Sequence, residues 1–151
     1  MSTTRVTRHV CAPRAKVYQA LLDASAVQQW MVPTGMTSEV HAFDGREGGT
    51  FRISLTYDDP TRTGKSVSHT DTFHGRFDRL VPDEQVVQKI EFETANPAMA
   101  GEMTITYTLV DTGGETDVIS VHENLPPGVK PADNELGTRI SLGKLADLVE
   151  R

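Results

Sequence analysis

The spacing of hydrophobic residues changes twice along this chain of 151 residues. Apolar residues recur at helical spacing from Pro13 to Ala24, alternate with polar residues from Thr37 to Leu125, and return to helical spacing from Ala132 to Arg151. A helical period places side chains on one face of a helix, and strict alternation places them on one face of a strand. The pattern predicts an α+β fold in which a long last helix covers an antiparallel sheet.

Turn residues divide the middle of the chain into about six strands, and the opening segment from Thr3 to Cys11 adds one more. The sheet is therefore expected to have six to seven strands. Pro13 is compatible with a first helical turn, and a second short helix is expected from Val27 to Met31. Two short helices thus follow the first strand. With no long linker, residues 1–151 are expected to form a single domain.

Charge and composition exclude several classes of protein. Lys and Arg number 15 against 21 Asp and Glu, giving a formal net charge of -6, which argues against nucleic acid as a partner. Seven acidic residues and no Lys or Arg lie between Ile90 and Val129. No apolar run is long enough for a membrane span, and no signal peptide is recognisable, so we expect a cytoplasmic location.

Alternation along the strands predicts which polar side chains face the covered side of the sheet. Phe73 and Phe77 mark that face in the segment SHTDTFHGRF, and His69 and Asp71 have the same parity. Buried carboxylates and imidazoles are costly unless paired, so polar residues gathered there are expected to bind a ligand or one another. The same counting gives the full predicted polar cluster: Tyr57, His69, Asp71, Gln88 and Glu123.

Three explanations of this cluster are open. In the first, Asp71 or Glu123 orients or deprotonates His69 or His122, and Tyr57 donates a hydrogen bond to a ligand carbonyl, giving acid–base chemistry. In the second, His69 and Asp71 pair for structural reasons and His122 lies on the surface. In the third, the polar groups anchor a ligand without reacting with it. No catalytic residue is assigned.

The remaining predicted ligand contacts are apolar or lie on the last helix. Trp30 ends the short helix that must cover one edge of the sheet, and its indole offers apolar area with one donor. Gly137 and Gly143 each cost the last helix about 1 kcal/mol relative to Ala. Close packing or room for a bound molecule would offset this cost. The further predicted contacts are Phe73, Arg139 and Ile140.

Metal and nucleotide motifs have unsuitable spacing. His69, Asp71, His74, His122 and Glu123 are candidate ligands, but strand parity separates them, and we expect neither a metal site nor a cofactor. The segment Thr63-Gly64-Lys65-Ser66 lacks the first glycine of a phosphate-binding loop and is interpreted as a polar loop. Cys11 is expected to be a small buried residue.

Segments distributed along the chain resemble the START-like helix-grip proteins, and among them the homologues of the heat-shock protein 90 ATPase activator C-terminal domain. They are Gln29-Trp30-Met31, FDGREGGTFRISLTY, HTDTFHGRF with the following Leu80-Val81-Pro82-Asp83-Glu84, and HENLPPGVKPADNELGTRISLGKLADLVE. The resemblance implies a strongly curved sheet that grips the C-terminal helix and leaves a cavity between them. Relatives commonly have an aromatic residue where this chain has Thr138.

The resemblance implies three kinds of function. Relatives bind hydrophobic small molecules, cyclise polyketides or serve as co-chaperones. The first expectation for this chain is therefore a small hydrophobic molecule in the cavity, and the second is a chaperone partner. The third expectation for this chain does not come from the resemblance, and it is a structural or homodimeric domain with a filled interior.

Overall fold

The computed structural model describes residues 2–59 and 69–151. Thr63 to Ser66, the predicted polar loop, lie outside these described residues. A 3₁₀ turn covers Pro97–Met99. In the described ranges the main elements, in chain order, are β1 Ser2–Val10, α1 Arg14–Leu21, α2 Ala24–Trp30, β2 Met36–Phe43, β3 Thr50–Tyr57, β4 Thr70–Val81, β5 Gln85–Phe92, β6 Met103–Asp111, β7 Thr116–Leu125 and α3 Pro131–Val149.

The strands form one curved, open, antiparallel sheet in the order β1-β7-β6-β5-β4-β3-β2. Every neighbouring pair after β1 is consecutive in the chain, and β1 joins the sheet beside β7. The long helix α3 contacts β1, α1 and α2. This arrangement confirms the predicted α+β helix-grip fold, including the two short helices after β1.

The first short helix ends about one turn earlier than the periodicity predicts. Asp23 ends the run, because its carboxylate accepts a hydrogen bond from the Ala26 N–H at 3.1 Å and caps α2. The helix predicted to continue to Ala24 therefore ends at Leu21. The Trp30 indole N–H donates to the Ala20 carbonyl at 3.0 Å, which joins α2 to α1.

One end of the core between sheet and helices is densely filled. The rings of Phe43, Phe51 and Phe77 contact one another, with centroids 5.2 to 6.2 Å apart. Leu145 of α3 is completely buried. Close-packed side chains of this kind supply most of the folding energy of a small domain.

Cys11 is exposed, so its expected burial is wrong. The residue follows the end of β1 and has the opposite parity from Val6 and Val10, which are buried. Within the described residues, no helix is long and apolar enough to cross a membrane.

Candidate functional site

A cavity of about 890 Å³ lies between the concave face of the sheet and the first half of α3. We call residues 133–142 the cavity half of α3 and residues 143–149 its packed half. The sheet contributes side chains from β2 to β7, and the segment after α2 contributes Pro33 and Thr34. The fold thus provides a concave space covered by one helix.

Methionines form a large share of the apolar lining. All four methionines of the described residues line the cavity. Methionine has three rotatable bonds and a polarisable sulfur, so it fits apolar surfaces of varied shape. The lining can therefore adapt to more than one apolar molecule. The four residues are Met31, Met36, Met99 and Met103.

Two loops meet at the cavity beside α3. The Gly128 N–H donates to the Ala98 carbonyl at 2.6 Å, joining the loop before α3 to the 3₁₀ turn. A Cβ at Gly128 would lie 2.9 Å from that same oxygen, so this close approach requires glycine. Leu136 lines the cavity and is 59% exposed, which places it at the mouth.

Two neighbouring residues of the cavity half of α3 are small, although Ile140 of the same half also lines the cavity. Gly137 lines the cavity, and a Cβ built on it would meet nothing within 4 Å. Close packing therefore does not explain Gly137, and open space does. Thr138 also lines the cavity, with its hydroxyl bonded back to the Asn134 carbonyl at 2.8 Å. A threonine here occupies less volume than an aromatic ring.

A hydrogen-bonded polar network lies on the β7 side of the cavity. The Asn134 amide donates to His122 Nδ1 at 3.0 Å, and the Thr4 hydroxyl donates to the Asn134 Oδ1. Because Nδ1 accepts, the proton lies on Nε2, which donates to the Ser120 hydroxyl at 3.2 Å. Burial lowers the pKa of His122 from 6.5 to about 4. The imidazole is therefore neutral at pH 7.

Tyr107 supplies a phenol to the same cavity. Burial raises the pKa of Tyr107 above its usual value, so the hydroxyl stays protonated. The ring contacts Trp30 edge to face, with centroids 6.1 Å apart. Since both residues line the cavity, they form a rigid aromatic part of its wall.

The structure brings five of the predicted site residues to the cavity. The side chain of Asp71 is only 3% exposed, as its strand parity predicts. The five lining residues are Trp30, Tyr57, Asp71, Phe73 and Ile140.

The other four predicted residues, among them Glu123, do not line the cavity. Gln88 is buried on the inner face as predicted, but it is not part of the cavity lining. Its Oε1 has no hydrogen-bond partner among the described residues. His69 is half-buried in the turn before β4, and Arg139 is exposed on α3; neither lines the cavity.

The predicted inward orientation of Glu123 is wrong, because this residue is exposed. The buried face of β7 includes Ser120 and His122, while Ile119 and Val121 are only half-buried. The inner polar groups of β7 are satisfied by hydrogen bonds, since His122 bonds to Asn134 of α3 and to Ser120, and Thr116 donates to the Ala12 carbonyl. Apolarity therefore does not mark the inner face of this strand. The suggested surface position of His122 is wrong for the same reason.

The predicted acid–base pair between Glu123 and His122 is absent from this site. The described hydrogen-bond partners of the His122 ring are neutral, namely Ser120 and Asn134. Pairing of His69 with Asp71 stays a prediction. Sequence reasoning missed both Asn134 and Tyr107 as site residues. The alternation of β6 could have identified Tyr107, because it puts this residue on the same face as Met103.

A family model described as Activator of Hsp90 ATPase homolog 1-like protein matches residues 11–150. The chain belongs to this family. The match covers nearly the whole chain and agrees with the START-like fold described above. Among proteins with curated descriptions, none matches the chain.

Solved structures of proteins from two bacteria share the fold over most of their length. Protein CV1439 from Chromobacterium violaceum is 32% identical, with a TM-score of 0.89 and coverage of 99% of this chain and 97% of that chain. A Staphylococcus epidermidis protein is 19% identical, with a TM-score of 0.78 and coverage of 98% and 89%.

DynU16, a protein in the dynemicin biosynthetic locus, is 22% identical with a TM-score of 0.69. The match covers 99% of this chain and 48% of DynU16, so this chain spans about half the length of that protein. At this identity the likeness shows a shared fold.

Proposed function

We propose that the cavity binds one small hydrophobic or amphipathic molecule. Its volume of about 890 Å³ supports this proposal, because small-molecule sites in proteins span about 300–1,000 Å³. The observation that carries the proposal is the open space beneath Gly137, where a filled core would have side chains.

The distribution of polar groups favours an amphipathic ligand. Asn134 and His122 are hydrogen-bonded on the β7 side of the cavity, and Asp71 and Tyr57 add polar groups on β4 and β3. Leu55, the methionines and the other aromatic rings form most of the remaining lining. A ligand with an apolar body and a few polar groups matches this arrangement. Few, well-placed polar groups set the orientation of a ligand in a mostly apolar site.

Native mass spectrometry of gently purified protein tests the proposal. The expected result is a stoichiometric adduct that is released by denaturation and extracted into organic solvent. The protein is also titrated with a panel of fatty acids and an anilinonaphthalene sulfonate dye. A chain that carries no adduct and saturates with none of these probes would overturn the proposal.

A more specific form of this proposal is that the site carries out acid–base chemistry on the bound molecule. Asp71 is the buried carboxylate of the cavity wall, and Tyr57 lies on the neighbouring strand of the same wall. The variant Asp71→Asn removes the negative charge and keeps the shape. It is expected to change ligand affinity or turnover, and unchanged binding with unchanged stability would contradict a role for Asp71.

A chaperone partner is the second candidate function, and the description of the matched family favours it. The acidic stretch from Ile90 to Val129 offers a surface complementary to a basic partner. The test measures ATP hydrolysis by a chaperone ATPase with and without this protein. An interaction module is expected to raise the hydrolysis rate, and an unchanged rate without detectable complex would exclude this function.

A further inference from the structure

A cluster of metal-ligating side chains lies on the surface where the end of β1 meets the start of β7. A ring nitrogen of His9, the Cys11 sulfur and a Glu115 carboxylate oxygen lie within 4.8 Å of one another. All three residues are exposed, and none lines the cavity. The register of the two antiparallel strands explains the cluster. Val10 pairs with Thr116, which brings Cys11, the residue after β1, beside Glu115, the residue before β7.

The imidazole of His9 is held between two carboxylates. Nε2 contacts Glu115 Oε1 at 2.8 Å, and Nδ1 contacts Asp117 Oδ1 at 2.8 Å. Histidines that bind metals commonly donate their second N–H to a carboxylate, which fixes the tautomer and the orientation of the ring. For His9, Asp117 is the carboxylate that accepts the second N–H.

The C-terminal end of α3 brings a further carboxylate to Cys11. The Cys11 backbone N–H donates to Glu150 Oε2 at 2.8 Å. Glu115, some loss of hydration and Glu150 raise the pKa of the Cys11 thiol, because nearby negative charge disfavours the thiolate. A cation bound here would neutralise the same carboxylates.

We propose that His9, Cys11 and Glu115 bind a Zn²⁺ ion and that Asp117 orients His9 for it. Imidazole, thiolate and carboxylate are zinc ligands, whereas Mg²⁺ and Ca²⁺ take oxygen ligands. On binding, the ion replaces the proton on His9 Nε2 and the proton of the thiol, and both protons go to solvent. The ion would link the end of β1 to the residue before β7.

Zinc titration of the metal-free full chain against a chromophoric chelator tests this site. The expected result is one Zn²⁺ per chain. We expect Cys11→Ser and Glu115→Gln each to weaken binding at least about tenfold, and Asp117→Asn to weaken it about 10- to 100-fold. Co²⁺ is used as a second probe, because a thiolate ligand gives it a charge-transfer absorption that Cys11→Ser removes.

His74 provides the matched control. It also lies between two carboxylates, with Nε2 3.6 Å from Glu91 and Nδ1 3.2 Å from Glu93, but it has no thiol beside it because Cys11 is the chain's one cysteine. His74→Ala is expected to leave zinc affinity unchanged. Failure to bind Zn²⁺, equal affinity in wild type and Cys11→Ser, or no cobalt charge-transfer band would overturn the proposal. Thermal unfolding without metal verifies that each variant folds.

Discussion

The two halves of α3 differ in what lies beneath them. In the packed half, Leu145 and Ala146 are completely buried and Val149 is 3% exposed. In the cavity half, Gly137 faces open space and Thr138 folds its hydroxyl back onto the helix. One continuous helix therefore closes a core at one end and covers a cavity at the other.

The comparison shows that side-chain size along one helix can determine where the cavity lies. The backbone of α3 is regular from Pro131 to Val149, so no break in the helix creates the space. Gly137 and Thr138 leave volume unfilled beside Ile140 in the cavity half, and the fully buried Leu145 and Ala146 of the packed half supply stability. Substitutions in the two halves should accordingly affect different properties.

The largest effect is expected from Leu145→Ala in the packed half. Removing a fully buried leucine leaves a void in a close-packed region and should lower the free energy of unfolding by about 2–5 kcal/mol. Urea denaturation measures the change. The matched control is Leu136→Ala at the cavity mouth, which should change stability by less than about 0.5 kcal/mol because Leu136 is 59% exposed. Similar losses in both variants would contradict the comparison.

His122 should make stability depend on pH. Its pKa is 6.5 when exposed and about 4 in the fold, so the unfolded chain binds a proton that the folded protein does not take up. Protonation of His122 in the unfolded chain therefore does not affect stability above pH 6.5, and it lowers the free energy of unfolding as pH falls from 6.5 towards 4. At about 1.4 kcal/mol per pH unit, the loss is on the order of 3 kcal/mol.

The pH experiment compares urea unfolding of the wild type with His122→Gln between pH 4 and 7. Subtracting the two curves removes contributions shared by both proteins. His9 is one of these, because its hydrogen bonds to Asp117 and Glu115 raise its pKa and give a dependence of opposite sign. Identical slopes for wild type and variant would show that His122 does not titrate as described.

Occupying part of the cavity should weaken ligand binding without unfolding the protein. Gly137→Phe places a ring in the open space beneath α3 and is expected to weaken binding of an anilinonaphthalene sulfonate dye at least about tenfold, equivalent to about 1.4 kcal/mol. Dye fluorescence measures the affinity. Gly143→Phe is the control, because Gly143 also has open space around a Cβ but does not line the cavity. Equal affinity in the two variants would place the dye elsewhere.

The smallest effect is expected from Gly137→Ala. Alanine favours a helix over glycine by about 1 kcal/mol, and the added methyl group has room, so thermal stability should rise. Gly75→Ala is the opposite case, because its Cβ would lie 2.2 Å from the Lys89 carbonyl oxygen and 2.8 Å from the Phe51 ring. It should destabilise the protein. A loss of stability in Gly137→Ala would show that the space beneath α3 is filled.

The fold follows from the sequence more fully than the site does. Periodicity predicts the order of elements, because each helix and strand covers a core with one face. It misassigns β7, where Ser120 and His122 face inward and Asn134 satisfies His122 across the cavity. A contact between distant elements leaves no trace in the local pattern. The exposure of Cys11 could have been predicted from the local pattern, because Cys11 has the opposite parity from the apolar Val6 and Val10.

The size of the cavity also could not be obtained from the sequence. Gly137 in a helix is compatible with close packing or with open space, and only the positions of the surrounding atoms distinguish the two. The methionines are scattered through the chain, and only the fold brings Met36 and Met103 of the sheet together with Met31 and Met99 outside it.

The most direct test of the cavity is an NMR titration of protein with ¹³C-labelled methionine methyl groups, using the anilinonaphthalene sulfonate dye. Each signal is assigned with a Met→Leu variant. The account predicts that the signals of Met31, Met36, Met99 and Met103 shift together with one saturable dissociation constant. Dye binding that leaves these four signals unmoved would contradict a ligand site between the sheet and α3.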